Sequence, residues 1–380
     1  MYSKFWPKGG LPGILHHYVC LLLIIPFVIL SIQLNYILTS SQTETLVTFE
    51  YTSTAAQQPH SILFVGGLGD GLATTSYTSD LVGALRATQW SLFTLNLTSS
   101  YQSWGLGHLD RDTDEIAQCL QYINEYKAHK FGHNNGKIVL MGHSTGSQCV
   151  MHYLYRPNPH TTTPVFDSDL QHVKRRVLDG AIMQAPVSDR EAILWVLTEG
   201  IGGKTPSEIR EIYGKLEKIA KEADRENKDT KSPFDIMLPI SLTSQIYPAN
   251  TPLSARRFLS LVSPESPESP REDDLFSSDI GEEQLAKTFG MIKQQALLKD
   301  KLLVLYSGAD QSVPDWVDKE KLLSKWRNAA DHHGMFQVWD QEYSGIIPGA
   351  SHALSNDDQA EPRKDLVRRV LGYLQRLEKS

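Results

Sequence analysis

Cysteine is scarce. The chain of 380 residues holds three, Cys20, Cys119 and Cys149, with no C-x-x-C and no paired spacing. That excludes a disulfide framework and a cysteine-built zinc site. Cys119 and Cys149 fall on apolar helical faces and read as small core residues. Basic clusters are also lacking. The net charge is −7, and no patch of lysine or arginine waits for phosphate, so nucleic acid is excluded as a partner. There is no internal repeat. The glycine-rich run Gly66-Gly67-Leu68-Gly69-Asp70-Gly71 lacks the Lys-Ser/Thr that would make it a P-loop. His332-His333 has no acidic or cysteine residues gathered around it in sequence, so it reads as an exposed helix end. No metal and no cofactor is expected.

Apolar residues are plentiful. Hydrophobic residues make up 41% of the chain, enough for a large core, and α/β domains with insertions reach this length. The informative stretch is Lys137–Val150, KIVLMGHSTGSQCV. An apolar run, Ile138 to Met141, stops at Gly142-His143-Ser144-Thr145-Gly146, and helix-like sequence begins. This is G-x-S-x-G between a strand and a helix. A serine hydroxyl is a poor nucleophile until a base takes its proton, so it must stand clear of the sheet. A sharp strand-to-helix turn does this, and glycines flank it because side chains there would clash. The N–H of Thr145 would then face a developing oxyanion. The Gly66–Gly71 loop, which follows the apolar strand Ser61–Val65, would supply the second oxyanion donor, from Leu68.

Further strands are expected at Thr45–Tyr51, Trp90–Leu95, Arg176–Met183, Lys301–Tyr306 and Phe336–Trp339. Helices are expected at Ser76–Ala87, after Asp112, and at Asp315–Asp331 and Asp365–Leu377. Alternating strands and helices predict an α/β fold, a mostly parallel sheet flanked by helices. Asp110-Arg111-Asp112 looks like the D-x-D of metal-dependent glycosyltransferases. Apolar residues at helical spacing follow it, so these acids read as first-turn residues favoured by the helix dipole. Tyr101 and Trp104, in the loop before, read as packing or pocket-lining aromatics. Asn96-Leu97-Thr98 is a glycosylation sequon that matters only in a secreted chain.

The alternation lapses between 191 and 291. Ser207–Ala223 is strongly amphipathic, and Ser263–Asp274 is biased to proline, serine and glutamate, which predicts a solvated loop. This region is expected to form a helical cap. The chain thus divides into an N-terminal segment (1–43), a first half of the core (44–190), the cap insertion (191–291) and a second half of the core (292–380).

Ser144, Asp310 and His352 stand in the order Ser…Asp…His, each just after an expected strand. That is the order of the α/β-hydrolase triad. Ends of parallel strands share one edge, so the three can converge. Ser144 would attack a carbonyl, His352 would shuttle the proton, and Asp310 would hold the imidazole. Asp189, also at a strand end, is the alternative acid.

Six stretches together carry a resemblance: Gly13–Tyr18, Phe64–Leu72, Leu140–Gln148, Gln184–Glu191, Tyr306–Asp318 and Gly349–Leu354. Their motifs, FVGGLGDGL, LMGHSTGSQ, QAPVSDRE and SGADQSVP among them, resemble the α/β-hydrolases of fungi and plants that include the siderophore esterases, the fusarinine C hydrolases. The resemblance implies a serine esterase that cleaves ester bonds of a hydroxamate siderophore, a small-molecule substrate, releasing iron inside the cell. It implies the same three catalytic residues. Other readings of the residues remain open: a lipase, thioesterase or acyltransferase with this triad, a catalytically silent binding protein of the same fold, or a membrane-anchored glycosyltransferase.

Val19–Leu38 departs from that pattern. Its apolar length and the preceding Lys4 and Lys8 suit a signal anchor, which would attach the chain to a membrane. A second reading is a translated intron. Val19-Cys20 can be encoded by an intron start, Leu38-Thr39 by a branch point and Gln42 by an intron end. Excising Val19–Gln42 joins Tyr18 to Thr43 and restores the family-like order in a cytoplasmic enzyme.

Overall fold

The computed structural model describes residues 11–18, 46–52, 57–132, 136–231 and 234–379. Cys20 and the apolar stretch Val19–Leu38 lie outside them. No helix among the described residues is long and apolar enough to cross a membrane.

Eight described strands form one sheet. They are β1 (Ile14–Tyr18), β2 (Leu46–Tyr51), β3 (His60–Val65), β4 (Trp90–Asn96), β5 (Ile138–His143), β6 (Gly180–Gln184), β7 (Leu302–Ser307) and β8 (Gly345–Ile347). Their order is β1-β2-β4-β3-β5-β6-β7-β8. β2 runs antiparallel to β1 and β4, and the remaining pairs are parallel. Every residue of β5 and β7 is buried, as unbroken apolar runs require when helices cover both faces. The period of two divides them. Leu63, Leu140 and Met183 face one core, with Ile116, Leu120 and Leu154 from helices α2 (Leu109–Lys130) and α3 (Thr145–Tyr155). Ile62, Val139, Met141 and Ile182 face the other, with Leu81 and Leu85 of α1 (Thr78–Leu85) and Leu366, Val370 and Leu374 of the C-terminal helix Ala360–Lys379. Cys119 and Cys149 are buried in the first core.

The chain leaves β3 for β4 on one side and returns to β5 on the other. Val65 therefore pairs with Gly142. The carboxyl ends of β3 and β5 lie side by side where the winding reverses, the place in such sheets where ligands bind.

Part of the region 191–291 forms a third core, whereas Phe276, Ile280, Leu285 and Phe289 from its later part belong to the first. α4 (Asp189–Glu199), α5 (Pro206–Thr230) and the helix Ala255–Val262 bury Ile193, Ile209, Leu216, Phe258 and Leu259 together. α5 starts with a capping box: the Glu208 N–H donates to Thr205 Oγ1, and the Thr205 N–H donates to Glu208 Oε2. Leu68 and Trp104 of the core domain pack against the same cluster. These helices thus pack against Leu68 of the glycine-rich loop.

Three expectations are corrected. The strand expected at Arg176–Met183 begins only at Gly180. The last strand is Gly345–Ile347, not Phe336–Trp339. The N–H groups of Val338 and Trp339 both donate to the Asp331 carboxylate, at 2.7 and 2.8 Å, so Phe336–Trp339 leaves only an isolated bridge from Trp339 to Leu302. Ser263–Asp274 is not a solvated loop throughout. Ser263, Asp273 and Asp274 are buried, because Arg257 pairs with Asp273 at 2.7 Å and Arg190 with Asp274 at 2.9 Å. Composition counted these charges as solvated; their partners lie elsewhere in the chain.

Candidate active site

β5 delivers Ser144 at the edge described above. Ser144 has φ 54° and ψ −121°, a strained conformation for a residue with a side chain. The neighbouring strand holds it there: the Ser144 N–H donates to Gln184 O at 3.0 Å. The flanking glycines are required by contact. A Cβ at Gly142 would lie 2.0 Å from Gly146 O, and one at Gly146 would lie 2.2 Å from Val65 O.

The structure brings Ser144, His352 and Asp310 together. His352 Nε2 is 2.8 Å from Ser144 Oγ, and His352 Nδ1 is 2.8 Å from Asp310 Oδ2. Asp310 has no exposed side-chain surface, and its second oxygen accepts from the Ser312 N–H at 2.9 Å. A buried carboxylate so held accepts the Nδ1 proton, which leaves Nε2 as the acceptor facing the serine. The acid and base loops are laced to each other. The Ala309 N–H donates to Ala350 O at 2.8 Å, and the His352 N–H to Gln311 Oε1 at 3.1 Å. Asp189 lies elsewhere, at the start of α4, where it accepts from Gln148 Nε2 at 2.9 Å.

The glycine-rich loop passes over Ser144. A Cβ at Gly67 would come within 2.8 Å of Ser144 Cβ. Asp70 holds the loop: its Oδ2 accepts from the Gly67 N–H at 2.9 Å and from Thr75 Oγ1 at 3.0 Å. The Gly67 N–H is thereby used. The next amide along the loop is that of Leu68, and the first of α3 is that of Thr145. Tyr101 braces the loop from outside, its hydroxyl accepting from the Leu72 N–H at 3.0 Å. Trp104 packs into the third core.

Sequence reasoning missed three contributors. His143, the second residue of the elbow motif, is buried, with its ring tilted against that of His352. Its Nδ1 is 2.6 Å from Gln184 Oε1. Burial first, and the charge of His352 second, push its pKa down to about 4. Gln184 and Asp70 complete the support. Each lay within a quoted motif, but no spacing rule marks such a role. Side chains of the kinds that can ligate a metal gather away from this site, at the far end of α3, where Asp110 meets His152 and His160. The first-turn placement of Asp110 and Asp112 in α2 was expected; their burial was not.

A serine hydroxyl within hydrogen-bond reach of an imidazole that is itself held by a carboxylate is an arrangement suited to acyl transfer. Comparison with known proteins agrees with that chemistry. Residues 30–375 match the family model described as "Protein of unknown function (DUF1749)". The fusarinine C esterase of Aspergillus fumigatus is 68% identical over 382 residues, covering 100% of both chains. An esterase of Emericella nidulans is 46% identical over 378 residues, 97% of this chain and 93% of its own. The solved structure of the siderophore hydrolase EstB from Aspergillus fumigatus matches with a TM-score of 0.82 at 65% identity, covering 99% of this chain and 100% of that one. An α/β-hydrolase fold protein of unknown function shares the fold at 14% identity and TM-score 0.50, over 88% of this chain and 92% of its own.

Proposed function

The chain belongs to the DUF1749 family and is an esterase with the α/β-hydrolase fold, and we propose that it hydrolyses the ester bonds of a hydroxamate siderophore of the fusarinine C type through Ser144, His352 and Asp310. The observation that carries the mechanism is the continuous contact from Ser144 Oγ through His352 to Asp310, at 2.8 Å on each side. The substrate class rests on the names of the relatives that cover the whole chain.

Ser144 Oγ attacks the ester carbonyl as His352 Nε2 takes its proton. Asp310 stabilises the imidazolium. The oxyanion is met by the N–H groups of Leu68 and Thr145. The intermediate collapses, His352 returns the proton to the departing alkoxide, and the hydroxy-terminated fragment leaves. Water, activated by His352, then frees the acid and restores Ser144. Opened ester links turn one multidentate chelator into weaker separate ones, so iron is released. The insertion 191–291 acts as the cap, and its support is the shared packing with Leu68. Action in the cytoplasm is part of the proposal, because iron freed there is of use to the cell.

The test is product analysis by mass spectrometry on ferric and iron-free fusarinine C beside a simple aryl ester. Hydrolysis of the siderophore, lost in Ser144→Ala, is the expected result. Cleavage of the aryl ester alone would reject the substrate class and keep the mechanism.

A further inference from the structure

At the last turn of α3, a group of polar side chains is closed off from solvent. His152, on α3, is 1% exposed, and His160, in the segment after it, 2%. Asp110, in the first turn of α2, is also buried. His152 Nε2 lies 2.7 Å from Asp110 Oδ1, and His160 Nδ1 lies 3.3 Å from the same oxygen. The potential ligand atoms of the three residues fall within 4.8 Å of one another.

A hydrogen-bonded network would account for His152 and Asp110. It does not account for His160. Both ring nitrogens of His160 are buried and lack a hydrogen-bond partner. An orphaned buried polar group costs about 1–3 kcal/mol, and a cation bound at Nδ1 would give that nitrogen the partner it lacks.

We propose that Asp110, His152 and His160 bind one divalent transition-metal cation, zinc by preference. Two imidazoles and a carboxylate are the donor set that zinc takes. Adjacent ligands on a tetrahedral zinc, each about 2.0–2.2 Å from the ion, stand about 3.3 Å apart. The His160–Asp110 spacing already has that value. The His152–Asp110 pair opens by about half an ångström to admit the ion. His152 Nδ1 is 3.4 Å from the Tyr155 hydroxyl, which orients the ring from behind. Arg156, 3.5 Å from Asp110 Oδ1 with a side chain 30% exposed, now balances that carboxylate. The cation takes its place, and the guanidinium turns toward solvent. The fourth position falls to water. A cavity of about 380 Å³, lined by His152, Tyr155, Arg156 and Glu272 among others, supplies the way in.

The site is structural. His152 lies eight residues along α3 from Ser144, about 12 Å at 1.5 Å per residue. The ion ties the start of α2 to the end of α3 and the segment behind it, beneath the nucleophile's helix.

The test uses the full chain, free of any histidine tag, stripped with a chelator and titrated with zinc chloride by calorimetry. One zinc per chain is expected, with a melting temperature several degrees higher. Cobalt chloride should give the visible absorption of a tetrahedral ion. His160→Ala, with its fold checked by circular dichroism, should bind zinc on the order of 100-fold more weakly, lose the cobalt bands and keep aryl esterase activity. A stripped wild-type chain that takes up neither metal overturns the proposal. So does a His160→Ala chain that binds both as wild type does. Should that variant not fold, His160→Gln and the wild-type titration decide.

Discussion

His143 lies against His352, ring centroids 5.0 Å apart and planes at 48°. Two imidazolium ions at that distance would repel, and only one histidine can serve as base. The arrangement resolves this by keeping His143 neutral: burial and the charge of His352 lower its pKa to about 4, against about 6.5 in an unfolded chain. Between those values the unfolded chain holds the extra proton. Stability from this residue is therefore complete above pH 6.5 and is lost as pH falls toward 4, by an amount on the order of a few kcal/mol. Urea midpoints at pH 7 and pH 4.5 check it. His143→Gln should lose less stability between the two than wild type, and an equal loss would refute the assignment.

Asp310, rather than Asp189, touches His352. Ser144→Ala should lower kcat/KM by roughly 10⁴- to 10⁶-fold and end labelling by a fluorophosphonate probe. Asp310→Asn should cost roughly 10³- to 10⁴-fold, because the imidazole tautomer is no longer fixed. Asp189→Asn should cost less than about tenfold, having no contact with the base. Steady-state kinetics on an aryl ester separate the three, and equal losses at both aspartates would sink the distinction.

Asp70 sets the loop over Ser144 through Gly67 and Thr75. Asp70→Ala frees that loop and misplaces the Leu68 amide. Removal of one oxyanion donor costs roughly 10²- to 10³-fold in kcat, and a loosened donor should cost about 10- to 100-fold, with KM little changed. An unchanged kcat would show that the loop needs no such anchor.

Gly146 and Gly83 make an internal comparison. A Cβ at Gly146 meets Val65 O at 2.2 Å, whereas one at Gly83, in α1, meets nothing within 4 Å. Gly146→Ala should therefore destabilise by about 1–3 kcal/mol or more. Gly83→Ala should stabilise by roughly 0.5–1 kcal/mol, the ordinary helical gain over glycine. Thermal unfolding of the two variants reads both signs.

Tyr18 pairs with Leu46 in the antiparallel register of β1 and β2. Removing Val19–Gln42 would leave Thr43-Glu44-Thr45 between them, a three-residue hairpin connection of a common length. The shortened chain should fold and keep its full kcat/KM. An insoluble or inactive product would show that the stretch belongs to the protein. Sequencing the transcript separates a retained intron from a true insertion.

The sequence by itself determined the nucleophile's setting. An apolar strand, two glycines and a following helix dictate a strained turn, because that turn is a local backbone problem with a local solution. The order Ser144, Asp310, His352 and the strand-helix alternation were legible for the same reason: each depends on near neighbours. Tertiary structure alone decided what depends on distant ones. Asp189 and Asp310 both follow strands, and only the lacing of the loops at Ala309 and Ala350 puts the second beside the base. Phe336–Trp339 does not extend into a strand, its amides at Val338 and Trp339 being held by Asp331, and the final strand is Gly345–Ile347, paired with Leu305–Ser307. Of the acids in Ser263–Asp274, Asp273 and Asp274 turned inward, where Arg257 and Arg190 meet them. His143 and His160 drew their settings from residues far along the chain. Burial and charge pairing are properties of the packed molecule, and no local pattern encodes which charges will meet.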